Sequence, residues 1–402
     1  MKNMKKRSLR RIFAGILGIG ILLTGAAPCA AAAYGYDEYG DPIVTATPVP
    51  DSQSGQVTQA APAHSSYYSQ AADTDSIDGW PKGPNVEAQA AVLMDVNTEA
   101  VLYSKNGDTQ LYPASITKIM TTLLACENLN VKTKITVSEN ASTSVSAGDS
   151  SIYAAPGEVF TRDQALMAVM LQSANEMSVA VAEEVSGSVK KFTELMNWRA
   201  KLFGCKNTHF NNPNGLPDET HYTTASDMAK IAKSAWLNPL FRRYCTRRYY
   251  EIPATNKFAE ARQLLNHHKM MKNGEYYYEG VLGGKTGYTD ASGNTLVTYC
   301  KRGNMTLVAV ILNSTSAANA YSDTASLFNY GFENFEKMDM KVSMEPVPFK
   351  VLPCDKYILK NNGNTYPFYY QTNVYVTVPK GTKRSQLTKR QAVLQNAAGP
   401  LR

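Results

Sequence analysis

The residues of this chain best suited to chemistry are a serine and a lysine, Ser115 and Lys118, which stand three positions apart. Residues at that spacing share one face of a helix, so the amine can reach the hydroxyl. A serine hydroxyl is a weak nucleophile until a base takes its proton, and an uncharged lysine can be that base. The pair therefore predicts nucleophilic catalysis by Ser115, although Ser-x-x-Lys is also found in ordinary amphipathic helices.

Two further polar motifs follow along the chain and suit the same chemistry. Ser173 and Asn175 interrupt two apolar stretches, and such a polar break needs hydrogen-bond partners or a cleft. Lys285 and Thr286 stand between glycines, where a strand can approach a ligand closely and where a cation and a hydroxyl suit a carboxylate. Each motif alone also fits a helix connector or an edge strand. Together with Ser-x-x-Lys, and in this order, they predict serine acyl transfer.

Helices and strands must hold these motifs in place. Pro113 suits the first position of a helix, and apolar residues recur at helical spacing behind Ser115. Nearly all of residues 161–236 is predicted to be helical, as are residues 317–335. Strands are predicted at residues 90–94, 100–103, 274–278, 281–288, 294–300 and 305–312, followed by short strand signals at 347–352, 366–370 and 374–378.

The N-terminal region differs in composition from the rest of the chain. A basic start, an apolar run and four alanines predict an export signal over residues 1–33, with an uncleaved membrane anchor as the alternative. Residues 34–83 are rich in Ser, Gln, Pro and Ala, which predicts a flexible spacer. We therefore expect the protein to be exported and to act in the cell wall, on the outer face of the cell membrane or as a secreted protein.

Charge and cysteine content argue against several classes of function. The chain has 41 basic and 34 acidic residues, a net charge of +7, but six of the basic residues and none of the acidic ones lie in residues 1–33. The remaining net charge of +1 predicts no nucleic-acid partner. The five cysteines after residue 33 show neither zinc spacing nor a Cys-x-x-Cys pair. We therefore predict no metal, no cofactor and no obligatory disulfide framework.

Residues from about 86 to 335 resemble the serine D-alanyl-D-alanine carboxypeptidases of peptidase family S11, the low-molecular-weight penicillin-binding proteins. Besides the three motifs, four longer stretches match that family, at residues 113–118, 214–218, 225–229 and 284–289. The resemblance implies an α/β (α+β) fold of the β-lactamase and DD-peptidase type, with an antiparallel sheet flanked by helices and an inserted all-helical subdomain. It places the catalytic domain at residues 84–336 and a short C-terminal β-rich domain at residues 338–402.

The family's catalytic roles carry over to the matching residues. The resemblance implies that Ser115 attacks the carbonyl of the penultimate D-alanine of a peptidoglycan stem pentapeptide and that Lys118 takes its proton. Ser173 and Asn175 are implied to relay protons and to position the lysine and the substrate. This mechanism requires Lys118 to be at least partly uncharged. Burial and a second cation in the same cleft, Lys285, would both lower its pKa.

The resemblance also implies how the substrate is held. Lys285 and Thr286 bind the terminal carboxylate, with Gly287 beside them. The backbone N–H groups of Ser115 and Tyr288 form the oxyanion hole. β-Lactam antibiotics are implied as covalent inhibitors at Ser115. The family's usual terminal amphipathic helix is missing from this sequence, which leaves a peripheral contact with the outer face of the cytoplasmic membrane as an open expectation.

Three alternatives make different demands on the sequence. A class A-like β-lactamase needs a glutamate in a Glu-x-x-Leu-Asn pattern, but Arg262 stands at that position. A Ser-His-Asp hydrolase would need a Gly-x-Ser-x-Gly stretch, and the five histidines are expected in the spacer or in polar surroundings. Adjacent His267 and His268 are expected to point apart and lack the carboxylates of a metal site. The third alternative is a non-catalytic cell-wall-binding protein of the same fold, against which the intact motifs argue.

Overall fold

The computed structural model describes residues 35–36, 42–43, 64–340, 347–350, 365–368 and 375–387. The predicted export signal and most of residues 34–63 lie outside this range. Strands β1 (Gly35–Tyr36) and β2 (Pro42–Ile43) pair with each other and belong to a separate unit of the chain. Within the described residues, no helix combines the length and the apolar character that a membrane crossing requires.

Strands and helices follow one another along the rest of the described chain. The strands are β3 (Ala90–Asp95), β4 (Val101–Lys105), β5 (Lys134–Thr136), β6 (Val159–Thr161), β7 (Tyr249–Ile252), β8 (Arg262–Leu265), β9 (Val281–Thr289), β10 (Gly293–Arg302), β11 (Met305–Ser314), β12 (Phe335–Asp339), β13 (Val347–Lys350), β14 (Thr365–Phe368) and β15 (Tyr375–Pro379). The helices are α1 (Lys118–Asn128), α2 (Glu139–Thr143), α3 (Arg162–Leu171), α4 (Asn175–Ser186), α5 (Val189–Leu202), α6 (Ala225–Leu237), α7 (Pro239–Cys245) and α8 (Ala317–Asn334).

A five-stranded antiparallel sheet, in the order β4-β3-β11-β10-β9, is the largest sheet among the described residues. Its middle strand β11 has a near-continuous apolar run, which is typical of a strand buried on both faces. Successive side chains of a strand point to opposite faces, so Val308 and Val310 pack among helices α1, α3, α4 and α6. Leu307 and Ala309 pack instead against α8. The predicted central strands and the predicted hairpin are confirmed.

The region between β4 and β9 contains most of the helices and two short pairs of strands. Helix α3 begins with the expected capping box, in which Thr161 and Gln164 satisfy each other's backbone N–H groups. The predicted helical stretch, residues 161–236, contains α3, α4, α5 and α6, but residues 203–224 within it are not helical. The short antiparallel pairs β5-β6 and β7-β8 flank this stretch. These strands are three and four residues long, too short to leave a clear period in the sequence.

The predicted strand at residues 274–278 is also wrong, because these residues form turns and irregular structure. The backbone N–H of Gly274 donates to Met271 O at 2.8 Å, and that of Tyr276 donates to Lys269 O at 3.0 Å. Because these backbone N–H groups bond locally, they are not available for hydrogen bonds to a neighbouring strand. The Tyr276 ring stacks on Tyr321 of α8 with ring centroids 4.8 Å apart, so the aromatic run packs on a helix rather than in a sheet.

Residues 64–83 are part of the folded protein, contrary to the predicted spacer boundary at residue 83. The buried Lys105 amine on β4 donates to the carbonyl oxygens of Tyr67 and Val86 at 2.6 and 2.8 Å. The Trp80 indole donates to Leu102 O at 2.8 Å. A few anchoring side chains therefore fix a segment whose average composition is typical of a flexible chain.

After residue 340, strands form at the three places where short strands were predicted. β13 pairs with β14, and β15 pairs with β12, which follows α8 directly. Thr377 on β15 donates to the Asp95 carboxylate at the end of β3, with a distance of 2.7 Å. The predicted boundary at residues 336–338 thus falls inside β12.

Candidate active site

Ser115 lies in a short 3-10 helix, Ala114–Thr117, directly ahead of α1. The prediction that an α-helix begins at Pro113 is wrong by one turn. The φ angle of Ala114 is +49°, outside the right-handed helical region, so a regular helix cannot run through it. The tight turn places the Ser115 side chain at the wall of a cleft instead of inside a helix.

Two close contacts fix the backbone around this turn. The Thr295 hydroxyl on β10 donates to Pro113 O at 2.9 Å. Gly215, in the loop before α6, approaches so closely that a Cβ atom there would lie 1.9 Å from Ala114 O. No other residue type fits at that distance, which gives the Gly215 position within the matching stretch 214–218 a physical reason.

Lys118, the first residue of α1, is completely buried and its amine contacts three oxygen atoms. Nζ lies 2.9 Å from Ser115 Oγ, 2.7 Å from Asn175 Oδ1 and 2.6 Å from the backbone oxygen of Asn214. Burial lowers the pKa of Lys118 well below its usual value, and the positive charge of Lys285 lowers it further. The predicted causes of this pKa shift are both confirmed.

The partners of Lys118 determine where its proton-accepting lone pair points. An uncharged amine has two N–H donors and one lone pair. The amide oxygen of Asn175 and the backbone oxygen of Asn214 can only accept hydrogen bonds. Both N–H groups therefore donate to those two oxygens, and the lone pair faces the Ser115 hydroxyl. This arrangement suits Lys118 to act as a general base for Ser115.

The Ser-x-Asn motif forms the predicted break between two helices, since α3 ends at Leu171 and α4 begins at Asn175. Ser173 has a φ angle of +58°, which is uncommon outside glycine. Its hydroxyl is buried and has no hydrogen-bond partner within the described residues. Ser173 and Asn175 both line the cleft beside Ser115. An unpartnered buried hydroxyl in a strained turn is suited to bonding a substrate.

The Lys-Thr-Gly motif lies on β9, which is an edge strand of the central sheet. Thr286, Gly287 and Tyr288 line the cleft. Lys285 is only 2% exposed, and burial lowers its pKa to about 7. Its Nζ donates to the backbone oxygen of Thr286 at 2.8 Å. The structure therefore places the Lys285 amine behind the cleft surface, close enough to influence Lys118.

The three motifs meet at one cleft of about 290 Å³. Six of the eight predicted site residues line it, namely Ser115, Ser173, Asn175, Thr286, Gly287 and Tyr288. The two lysines are buried beside it. An edge strand along one wall offers unpaired backbone groups to an extended peptide.

Three features of the site were missed by reasoning from the sequence. The backbone oxygen of Asn214 accepts from Lys118, yet a carbonyl leaves no trace in the residue type. Asp149 lines the cleft from a Ser- and Gly-rich stretch that has no clear period. His267 also lines the cleft, and burial with the two lysine charges lowers its pKa to about 4. Of these, only Asn214 carried a signal, as part of the matching stretch 214–218.

The prediction that the histidines lie in polar surroundings is wrong for His221 and His268, which are buried. Burial lowers the pKa of His221 to about 4 and that of His268 to about 3. His268 Nε2 lies 2.8 Å from Thr298 Oγ1, whereas His267 Nε2 lies 3.0 Å from Gln172 Oε1. The adjacent histidines therefore contact different elements, as expected.

Arg262, which stands where a class A β-lactamase needs its glutamate, has a structural role on β8. Its guanidinium donates to both carboxylate oxygens of Glu158, at 2.8 and 3.0 Å. It also lies over the Phe258 ring, 4.1 Å from the ring centroid. Arg262 is not one of the described residues that line the cleft.

Comparison with known proteins gives a consistent result. The D-alanyl-D-alanine carboxypeptidase family, S11, matches residues 79–316. The chain is 38% identical to D-alanyl-D-alanine carboxypeptidase DacF of Bacillus subtilis over 253 residues, which cover 62% of this chain and 63% of that relative. It is 29% identical to DacA of Escherichia coli K12 over 314 residues, which cover 75% of this chain and 73% of that relative.

The structure is similar to the crystal structure of the Streptomyces K15 DD-transpeptidase, with a TM-score of 0.59 and 30% identity. That comparison covers 63% of this chain and all of the other. It is also similar to the D-alanyl-D-alanine carboxypeptidase DacD of Francisella tularensis, with a TM-score of 0.59 and 28% identity over 75% of this chain and 83% of the other. With the family match spanning more than half of the sequence, this chain belongs to the D-alanyl-D-alanine carboxypeptidase family of serine peptidases.

Proposed function

We propose that this protein is a serine D-alanyl-D-alanine carboxypeptidase that removes the terminal D-alanine from peptidoglycan stem pentapeptides. The observation that carries the proposal is the buried Lys118 amine, 2.9 Å from Ser115 Oγ, with its other two oxygen neighbours restricted to accepting hydrogen bonds. Such a lysine can take a proton from the serine hydroxyl at neutral pH, because burial disfavours its charged form.

The reaction proceeds in two steps at Ser115. The hydroxyl proton moves to Lys118 Nζ while Oγ bonds to the carbonyl carbon of the penultimate D-alanine. The tetrahedral intermediate then breaks its C–N bond, and the leaving nitrogen takes the proton held by Lys118, so that free D-alanine departs and Lys118 is uncharged again. In the second step a water attacks the ester, gives up a proton, and restores the Ser115 hydroxyl. The unpartnered Ser173 hydroxyl lies in the same cleft and supplies a route for these protons.

Two further groups suit this substrate. The Ser115 N–H lies against β9, since a Cβ atom on Gly287 would be 2.8 Å from it, and it serves with the Tyr288 N–H as the oxyanion hole. Thr286 supplies a hydroxyl for the terminal carboxylate, and Lys285 supplies the positive charge when protonated. A substrate carboxylate would favour that protonated form. β-Lactams, which also carry an acyl carbonyl and a carboxylate, would acylate Ser115 covalently.

The test is a pair of assays on the wild-type chain and on Ser115→Ala. We expect wild-type protein to retain a fluorescent penicillin on a denaturing gel and to release D-alanine from a stem pentapeptide, and Ser115→Ala to do neither. Rapid turnover of the penicillin without D-alanine release would favour a β-lactamase. A folded wild-type protein that does neither would favour a non-catalytic wall-binding role.

We also propose that residues 1–33 direct export and that the enzyme acts outside the cytoplasm, in the wall or on the outer face of the cell membrane. The basic, apolar and alanine-rich order of those residues supports this. A peripheral contact with the outer face of the cytoplasmic membrane is part of the proposal. N-terminal sequencing of the mature protein from a bacterial host should begin near residues 30–34. Salt and carbonate washes of membranes should release the protein if the contact is peripheral, whereas retention after both washes would indicate an uncleaved anchor.

A further inference from the structure

The cleft has a single acidic side chain among its described lining residues, Asp149. Its other lining groups are neutral, including His267, while the positive charges of Lys118 and Lys285 are buried behind the surface. One Asp149 oxygen, Oδ2, accepts the Ser146 N–H at 2.8 Å. The half-buried carboxylate therefore has a fixed orientation, and it gives the cleft a local negative charge at one place.

The wall that presents Asp149 is held firmly to the Ser-x-Asn motif. The backbone N–H of Asn175 donates to Ser150 O at 2.9 Å. Glu176 is completely buried, and its Oε1 accepts the Ser151 hydroxyl and the Ile152 N–H at 2.8 and 2.7 Å. Two adjacent residues of α4 thus fix the segment that follows Asp149. A carboxylate on so restrained a backbone is preorganised for binding.

The position of Asp149 indicates which part of the substrate it meets. The leaving D-alanine is assigned to Thr286 on β9, so the acyl portion that stays on Ser115 takes up the rest of the cleft. That portion passes Asn175, which is bonded to the residue next to Asp149. A side chain with a positive charge on the residue before the two D-alanines would pair with Asp149.

We propose that Asp149 binds the side-chain ammonium group of the residue that precedes D-alanyl-D-alanine, and so favours stem peptides in which that amine is free over those in which it is acylated. This inference rests on the proposed carboxypeptidase function and adds a residue that determines its specificity. Asp149 is a specificity residue in this scheme, since it touches the substrate at a distance from the bond that breaks.

The test compares two peptides that differ by one acetyl group. Nα-acetyl-L-lysyl-D-alanyl-D-alanine keeps its side-chain amine, and the Nα,Nε-diacetyl form lacks the charge. For the wild-type full-length chain we expect kcat/KM for D-alanine release to be about tenfold higher with the free amine, a size typical of a charge-assisted contact at a partly exposed site. Asp149→Asn should bring this ratio close to one, because the amide can still accept the Ser146 N–H but has no charge.

The matched control is Asp108→Asn, the same chemical change at an exposed residue away from the cleft, which should keep the wild-type ratio. If the wild-type ratio is near one, or if the Asp149→Asn ratio equals that of the wild type, this inference is overturned and the proposed function is unaffected. Release of D-alanine from neither peptide by folded wild-type protein overturns the proposed function and this inference with it.

Discussion

A Cβ atom on Gly287 would lie 2.8 Å from the backbone nitrogen of Ser115. The same atom would lie 2.4 Å from Thr295 Oγ1, which bonds the residue before the nucleophile turn. Strand β9 and the Ser115 turn therefore meet at a position where only glycine fits, and this contact sets the width of the cleft at the nucleophile.

The first prediction concerns this contact. Gly287→Ala should displace β9 or the Ser115 turn and lower the rate of acylation by penicillin by about 100-fold, the loss typical of one misplaced oxyanion donor. The acylation rate is measured by quenching the reaction with a fluorescent penicillin at a series of times and quantifying the labelled protein on a denaturing gel. Gly303→Ala, in the β10-β11 turn, is the control. Its Cβ meets no atom within 4 Å, so the strain from its φ of +56° stays in a turn that does not line the cleft, and it should acylate at the wild-type rate. Equal rates for both variants would contradict the proposed role of the contact.

The second prediction tests the uncharged state of Lys118. Lys118→Arg keeps a positive charge but cannot supply a lone pair, since a guanidinium does not lose its proton in proteins. We expect acylation by penicillin to fall about 1,000-fold or more, within the range for loss of a general base. Lys118→Met fills the buried site without a charge, and its acylation rate should fall to a similar extent. A cooperative thermal unfolding transition would show that this variant is folded. Substantial activity in the arginine variant would show that the lysine acts through its charge.

The third prediction concerns pH and Lys285. Its pKa of about 7 means that its charge is present below pH 7 and is lost as the pH rises through that value. Since kcat/KM reports the free enzyme, D-alanine release should decline on the alkaline side with a midpoint near 7. Lys285→Arg should abolish the decline, because arginine keeps its charge. Release of D-alaninamide from a peptide with an amidated C-terminus, which has no carboxylate for the Lys285 charge to hold, should also show no decline. The same alkaline limb in all three cases would rule out a role for the Lys285 charge.

The fourth prediction concerns stability. The Glu158 side chain is completely buried, with 0% exposure, and the Arg262 side chain is partly buried, with 16% exposure. Arg262→Ala leaves a buried carboxylate without its cation and should lower the free energy of unfolding by about 3 kcal/mol. The exposed pair Lys269–Glu275 is the control, and Lys269→Ala should lower the free energy of unfolding by less than about 1 kcal/mol. Urea denaturation followed by circular dichroism measures both, and equal losses would refute the distinction.

Much of this protein could be predicted from local patterns. The strands of the central sheet and helices α3, α4, α6 and α8 carry periodic apolar residues and caps, and these signals depend on near neighbours in the chain. Predictions failed where local signals were weak or misleading. Residues 274–278 have the aromatic composition of a strand, but their rings pack on α8, and residues 64–83 look like a spacer yet are fixed by Lys105 and Trp80.

For the site, the sequence by itself determined the chemical types and their order: Ser115 with Lys118, Ser173 with Asn175, and Lys285 with Thr286. Only the tertiary structure decided that Lys118 is buried against the Asn214 carbonyl, that Lys285 lies behind the wall, and that Asp149 faces the cleft. The reason is physical. A residue's identity fixes which proton it can move, whereas its burial, its neighbours and therefore its pKa come from packing between segments far apart in the chain.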